Sequence, residues 1–386
     1  MPLKHLKILS LYWGYSLGGI GKYGTLINQV SRIAPINFVH ICILANEWET
    51  DIGTLQSLEA QQVVIKSRLD FSWIYKIKEK VDQERPDIII THGFNGHFVS
   101  WLFSLFYQTS AIPIASYHGL YHASIPSRRL LQPIFNRFTE FFIRKKAIST
   151  VVVAEHSKHY LISRNVPPEK IQVIHNGLKD KAISNGNRLN ILKSLGLSES
   201  NINLGVVSRL DKVKGIKYLL MAFEKLAPMY PSLRLVVVGS GASEDELKKQ
   251  ARRLKIDGAV NFTGYRDDID SCLIAFDIFI LPSLAEYHSI ALLEAMRAEK
   301  AIIATNVGGN TESVRHEKEA LIVRPADDVE LAKAIERLVL NPELRFSLGR
   351  RALGRFRTHF TTDVMVKKTA DWLMKCAEAE AKKVRC

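Results

Sequence analysis

Residues 203–241 read NLGVVSRLDKVKGIKYLLMAFEKLAPMYPSLRLVVVGSG, and this stretch decides the fold. It opens on an apolar run, 203–208, and closes on a second, 233–239, that leads into Gly239-Ser240-Gly241. Between them, residues 216–229 carry apolar side chains at helical spacing and stop at Pro231. Strand, helix, strand is a βαβ unit. The helical crossover brings the chain back to the same end of the sheet, so the two strands run parallel.

The same alternation continues in both directions. Downstream, strands are predicted at 260–263, 278–281 and 301–305, with helices at 243–254, 289–298 and 329–340. Ser243 with Glu246 three residues on predicts a capping box at the first of these helices. Upstream, strands are predicted at 6–11, 38–44, 63–65, 87–91, 112–117 and 150–154, and helices at 23–33, 73–85 and 98–107. Such a pattern implies parallel sheets covered by helices on both faces, an α/β fold of the doubly wound kind. The pattern restarts after Asn176-Gly177, and the polar stretch that follows reads as a linker. Ligands of such sheets bind outside the carboxyl ends of the strands.

Composition excludes several classes. Of 386 residues, 47% are hydrophobic and 24% charged, which rules out a disordered chain, a collagen-like fibre and a disulfide-stapled miniprotein. Cys42, Cys272, Cys376 and Cys386 are widely spaced, with no metal-ligand spacing, and read as free thiols of a reducing cytosol. Met1–Lys7 lacks the apolar stretch of a signal peptide. The most apolar window, 98–117, is broken by polar residues and Pro113, so it reads as a buried helix and strand rather than a membrane span. The formal net charge is +14. Six basic residues and one acid lie in 121–149, and eleven basic residues and four acids in 345–386, so most of the excess is confined to these two segments. Charge of this sign points to a nucleic acid, an anionic membrane or a phosphorylated ligand.

Several residues carry chemistry. Arg209 and Lys214 follow the strand at 203–208, and Gly215 opens the next helix. A guanidinium fork, an ammonium and a helix N-terminus suit a diphosphate, whereas solvated loop cations are the plainer reading. Glu286 and Glu294 stand eight residues apart, and a carboxylate accepts two hydroxyl hydrogen bonds, as a sugar or ribose diol requires. Glu294 lies among apolar neighbours, where an unpaired charge is costly, so an internal ion pair competes with that role. Gly18-Gly19-Ile20-Gly21 follows the first strand and permits close backbone approach, but it is not a dinucleotide fingerprint. His92-Gly93 and His118-Gly119 each follow a strand, and His118 is the stronger candidate. Asp268-Ile269-Asp270 fits DxD but sits in a polar turn before a helix, where capping or solvated carboxylates are expected.

Taken in order, these segments resemble the retaining glycosyltransferases of family 4, with the two-domain GT-B fold. The resemblance rests on Gly18–Gly21, Tyr117-His118-Gly119, 173–177, Ser208-Arg209 with Lys214-Gly215, 236–241, Phe262-Thr263-Gly264-Tyr265, 277–283 with Glu286 and Glu294, and 304–309 with Glu312. It implies two Rossmann-like domains facing a central cleft. Their expected extents are 1–177 for the acceptor side, 178–200 for the linker, 201–365 for the nucleotide-sugar side, and 366–386 for a helix crossing back to the first domain.

By position, the resemblance gives Arg209 and Lys214 the diphosphate, Glu294 the ribose, Glu286 the donor sugar and His118 a part in placing that sugar. Gly18 and Gly19, Gly241 and Tyr265 join the donor-binding set. So do the backbone groups after Glu286, at His288, Ser289 and Ile290. The implied reaction retains anomeric configuration, moving a sugar from UDP first, or GDP second, to a glycan or lipid-linked acceptor. It implies no tightly bound cofactor and no metal.

Two departures bear on the donor. Tyr287-His288-Ser289 stands where a Gly-rich turn is usual, and 297–301 lacks a usual Gly and Pro. A nucleotide-sugar 2-epimerase of the same architecture, a non-catalytic sugar-nucleotide binder and a nucleic-acid-binding protein are the alternatives. The last lacks a recognised nucleic-acid module, so no nucleic-acid partner is expected. The stretch 128–146 places Leu131, Ile134, Phe135, Phe138, Phe141 and Phe142 at helical spacing among Arg128, Arg129, Arg137, Arg144, Lys145 and Lys146. That pattern suits either a core-packed helix or one lying on an anionic bilayer. The expected location is cytoplasmic, with a peripheral place on the inner face of the plasma membrane under the second reading.

Overall fold

The computed structural model describes residues 5–13, 24–45, 59–67, 70–119, 132–182 and 188–385. The chain forms two compact units, Met1–Asn176 with Thr362–Cys386, and Gly177–Thr361. Everything below concerns the described residues.

The first unit is built on β1 (Leu6–Trp13), β2 (Ile36–Ala45), β3 (Gln61–Ile65), β4 (Ile88–His92), β5 (Ile112–Tyr117), β6 (Ser149–Val152) and β7 (Ile171–Val173). They pair in parallel in the order β3-β2-β1-β4-β5-β6-β7. A parallel sheet is covered on both faces, so its strands read as continuous apolar runs; every residue of β4 is buried. Alternate side chains go to opposite cores. Ile8, Ile88, Ile90 and Ile114 pack on one face with Trp372 and Leu373 of the helix Thr362–Arg385. Leu9, Leu11, Ile41 and Ile43 pack on the other with Trp73, Ile77 and Val99. The last helix is thus part of the first unit's core, and Trp372 Nε1 donates to Ser149 Oγ at 2.9 Å.

The second unit holds β8 (Ile202–Val207), β9 (Leu233–Val238), β10 (Val260–Gly264), β11 (Ile278–Leu281), β12 (Ala301–Thr305) and β13 (Leu321–Val323). Their order, β10-β9-β8-β11-β12-β13, is the Rossmann order, again all parallel. Helices Ile216–Leu226 and Asp328–Leu340 cover one face, and Ile290–Arg297 with Pro342–His359 the other. Cys42, Cys272 and Cys376 are buried, and none is disulfide-bonded.

The structure differs from the sequence reading in several respects. The stretch 178–200 is no bare linker: Arg188–Ser194 is a helix, and Leu192, Leu195 and Leu197 enter the second unit's core. Leu178 N also donates to Phe360 O at 2.9 Å, which ties the stretch to the end of the unit. The strands β7 and β13, three residues each, were too short to show in the pattern. Ser243 stands at the N-cap of Glu244–Arg253, but its hydroxyl makes no capping bond, and Glu246 lies 3.6 Å from Lys212 instead. The helix Gln132–Lys145 does not keep its apolar residues together. Phe138 packs on Trp101 and Phe98, and Phe142 is buried against His97. Ile134 and Phe141 face outward, 60% and 40% exposed. Arg128, Arg129 and Leu131 lie outside the described residues.

Trp372→Ala removes both the largest side chain that the last helix gives to the first core and its bond to Ser149. The expected cost is about 3–5 kcal/mol. Calorimetry will show this as a lowered transition for the first unit.

Candidate functional site

In the second unit the strand order reverses direction between β8 and β11. The connections that leave these two neighbours go to opposite faces, which is the point at which doubly wound sheets have their ligand crevice. The loop after β8 carries Arg209 and Asp211 and ends in the short 3-10 turn Lys212–Lys214. The loop after β11 carries Pro282 to Ser289, the N-cap of Ile290–Arg297. Leu284 N donates to Val213 O at 2.7 Å and clamps the two loops together. Gly215, at φ +66°, makes that possible: a Cβ there would stand 2.0 Å from Pro282 O.

This clamp brings Lys214 and Glu286 into contact. Lys214 Nζ lies 2.7 Å from Glu286 Oε1, and the side chains are only 19% and 9% exposed. Ser283 Oγ donates to the same oxygen at 2.8 Å. Glu286 is held from behind as well, because Gly308 (φ +49°) lies flat against its backbone, where a Cβ would meet Glu286 O at 1.7 Å. Arg209 reaches further out: it is 71% exposed and pairs loosely with Asp211 at 3.2 Å. The result is one sheltered cation already matched to a carboxylate, with Arg209 and Lys212 in solvent on the same loop.

The other residues singled out from the sequence are distributed as follows. Glu294 is half-buried on Ile290–Arg297, among Leu292, Leu293, Ala295 and Met296, which are fully buried. Ser289 caps that helix, accepting from Leu292 N at 3.4 Å, so the helix begins directly after the Glu286 loop. His288 turns away into the core: it is buried, 3.2 Å from Ser313 Oγ and beside Phe360. Its ring is therefore held on the core side of the Glu286 loop. Gly241 packs on the Arg209 loop, where a Cβ would meet Leu210 N at 2.7 Å. Tyr265 follows the edge strand β10 and is 67% exposed. Gly18 and Gly19 lie outside the described residues.

The acidic DxD pair is spent on structure, with Asp268 bound by both Arg266 nitrogens and Asp270 by Arg297 and Lys181. Among the described residues no group of three His, Cys, Asp or Glu could hold a metal ion. Ser283 was missed; its signal was position alone, two residues past the strand and three before Glu286.

The first unit gathers histidines at the carboxyl end of its sheet. His92 Nε2 lies 2.8 Å from Ser10 Oγ, and its ring stacks on Tyr12 at 4.4 Å. His118 Nε2 lies 2.8 Å from Ser116 Oγ, and its ring stacks near His92 at 5.8 Å. His97 Nδ1 lies 2.8 Å from Thr91 Oγ1, and His40 Nδ1 lies 3.4 Å from Tyr12 OH. Burial pushes His118 and His40 down to about 4 and His97 to about 3. His92 is also pushed well down, by burial first and then by the neighbouring histidines. All four are neutral at pH 7. His118 thus offers a hydrogen-bond donor and acceptor, not a cation.

Comparison with known proteins accounts for most of the chain. Residues 58–181 match the family described as Glycosyltransferase Family 4, and residues 187–355 match Glycosyl transferases group 1. A Methanocaldococcus jannaschii protein known as the uncharacterized glycosyltransferase MJ1607 is 26% identical over 239 residues, 60% of this chain. The match spans 61% of that relative, under two thirds of its length. An Escherichia coli UDP-Gal:alpha-D-GlcNAc-diphosphoundecaprenol alpha-1,3-galactosyltransferase is 26% identical over 285 residues, 71% of each chain. Among solved structures, Anabaena HepE in complex with UDP and glucose superposes with a TM-score of 0.83 at 20% identity, covering 96% of this chain and 100% of that one. At that identity the likeness shows the fold, GT-B.

The histidine cluster has a direct consequence for stability. Its folded-state values lie below the ordinary 6.5, so the unfolded chain binds more protons in between. Their contribution is complete above about pH 6.5 and falls as the pH drops toward 4, by about 1.4 kcal/mol per pH unit for each proton taken up. Calorimetry between pH 7 and 4.5 is expected to show the first unit's transition falling, and His92→Gln will remove about one proton from that slope.

Proposed function

Because this chain belongs to the glycosyl transferases group 1, with the GT-B fold, we propose that it is a retaining enzyme using a nucleotide-sugar, UDP-linked first and GDP-linked second. The acceptor in this reading is a glycan or lipid-linked saccharide of a cell-surface polysaccharide or glycolipid. The observation that carries it is the sheltered Lys214–Glu286 contact at the switch point of the second sheet.

The chemistry follows from the residues there. Breaking the bond from the anomeric carbon to the diphosphate sends an electron pair to a phosphate oxygen. That oxygen gains negative charge in the transition state. Lys214, partly desolvated and preorganised, meets that charge at little reorganisation cost, and Arg209 adds a planar fork from solvent. The acceptor hydroxyl attacks the face the diphosphate leaves, and its proton passes to the departing phosphate oxygen. Glu286 accepts from hydroxyls of the donor sugar, and Glu294 from the ribose. The first N–H groups of Ile290–Arg297 face the anionic end of the donor. No metal is needed in this scheme, because the cations are side chains.

The lipid-linked acceptor has its own support. The helix Gln132–Lys145 presents Ile134, Arg137, Phe141 and Lys145 along its outer side, apolar and basic residues in turn. Such a face can lie on an anionic bilayer with its apolar residues in the headgroup boundary. No described helix is long and apolar enough to cross a membrane, so contact of this kind would be peripheral.

A panel of UDP- and GDP-sugars with soluble and lipid acceptors, read by released nucleotide and by the product's anomeric configuration, tests the reaction. Inversion of configuration would refute the retaining mechanism, and a sugar altered without acceptor would mean epimerisation. Glu294→Ala is expected to abolish donor use while the fold persists, and full activity would refute the assigned site. Lys214→Ala is expected to lower turnover at least about tenfold, in keeping with loss of a charge-assisted contact to the leaving group. In flotation, recovery with anionic liposomes should exceed that with neutral ones; equal recovery would end the membrane reading.

A further inference from the structure

Ser283 is wholly buried and lies at the end of β11, three residues before Glu286. Its hydroxyl and the Lys214 ammonium donate to one oxygen of Glu286, Oε1, at 2.8 and 2.7 Å. Two donors satisfy that oxygen. The other, Oε2, accepts no hydrogen bond from any described residue. The carboxylate is therefore anchored at one oxygen and open at the other.

The two anchors differ in kind. Lys214 is a flexible cation on the loop after β8 and, on the reading above, it is also the cation the diphosphate needs. A diphosphate carries more charge than a carboxylate and draws the ammonium toward itself. Ser283 has no such competing partner. Its peptide is pinned by Thr305 Oγ1, which donates to Ser283 O at 2.6 Å, and the next residue is pinned by the Leu284 bond to Val213. Its hydroxyl therefore stays in place when Lys214 turns away.

We propose that Ser283 is a positioning residue: it keeps Glu286 aimed at the donor sugar once the diphosphate has engaged Lys214. This rests on the donor site proposed above and adds a division of labour within it. Nucleoside diphosphate recognition runs through Lys214, and sugar recognition runs through Glu286 on Ser283. A hydrogen bond to a charged group is stronger than one between neutral groups, so its loss weakens sugar-dependent affinity roughly tenfold or more.

Calorimetric titration with UDP, UDP-glucose and UDP-N-acetylglucosamine, with GDP and GDP-mannose as a second arm, tests this. Ser283→Ala should bind the nucleoside diphosphate within about twofold of wild type and the matching nucleotide-sugar about tenfold more weakly. Ser283→Cys, closer in volume and a weak donor, should fall between the two and carries the same comparison if the alanine variant does not fold. Lys214→Ala should weaken both ligand types. Equal losses for diphosphate and nucleotide-sugar in the Ser283 variants would mean general damage and overturn the proposal, as would no loss for either. A wild type that binds none of these ligands refutes the donor site itself, and the role of Ser283 falls with it.

Discussion

Parallel pairing is the constraint on which this structure depends. Strands that all run one way deliver all their outgoing loops to one end of the sheet, and each return must pass through a helix on one face or the other. Where the returns change face, two neighbouring loops have nothing packed between them. In the second unit those loops follow β8 and β11, and they carry Lys214 and Glu286. The crevice is thus a by-product of sheet topology, and the residues on its walls are free to specialise because the strands beneath them are held by both cores.

Within the crevice the energetics turn on one shared oxygen. A lysine and a glutamate each less than a fifth exposed would be costly alone, and pairing offsets the desolvation of both. Removing either partner leaves the other sheltered and unmatched, so the pair is a structural commitment as well as a chemical one. The steric details serve the same end. Gly215 lets the Lys214 loop close on Pro282, and Gly308 lets the following turn close on Glu286. Neither position has room for a side chain.

Much of this was legible from residue order. The βαβ unit at 203–241 set the strand direction, and the strands at 112–117, 278–281 and 301–305 have the extents read from their apolar runs. Lys214 and Glu286 were legible as charged residues in the loops after two strands, and the structure brings them into contact. Other features depended on tertiary packing. Leu192, Leu195 and Leu197 are too few and too widely set in polar sequence to announce a helix and its turn, yet all three are buried. The outward turn of Phe141 and the inward turn of Phe138 depend on where Trp101 and Phe98 stand. His288 sits two residues from Glu286 in sequence but answers to Ser313 and Phe360, which lie far along the chain. The gathering of His40, His92, His97 and His118 likewise comes from the middle of β2, the ends of β4 and β5 and the helix Gly93–Phe106 meeting, which spacing along one chain does not reveal.

The charge of the chain takes a different meaning once the two cations are placed. Lys214 is cancelled by Glu286 and Arg209 is partly matched by Asp211, so the crevice itself contributes almost nothing to the net +14. A site that had to attract its ligand from a distance would leave its cations unmatched, because unscreened charge is what steers association. On the proposed reading this one instead holds its sheltered cation against Glu286 until a ligand arrives. The excess that remains is carried by the segments 121–149 and 345–386. Where the first is described, it puts basic residues beside exposed Ile134 and Phe141. Charge beside apolar side chains is the pairing that an anionic lipid surface matches and a dissolved nucleotide does not, so the proposed reading puts long-range attraction and leaving-group chemistry in different parts of the chain.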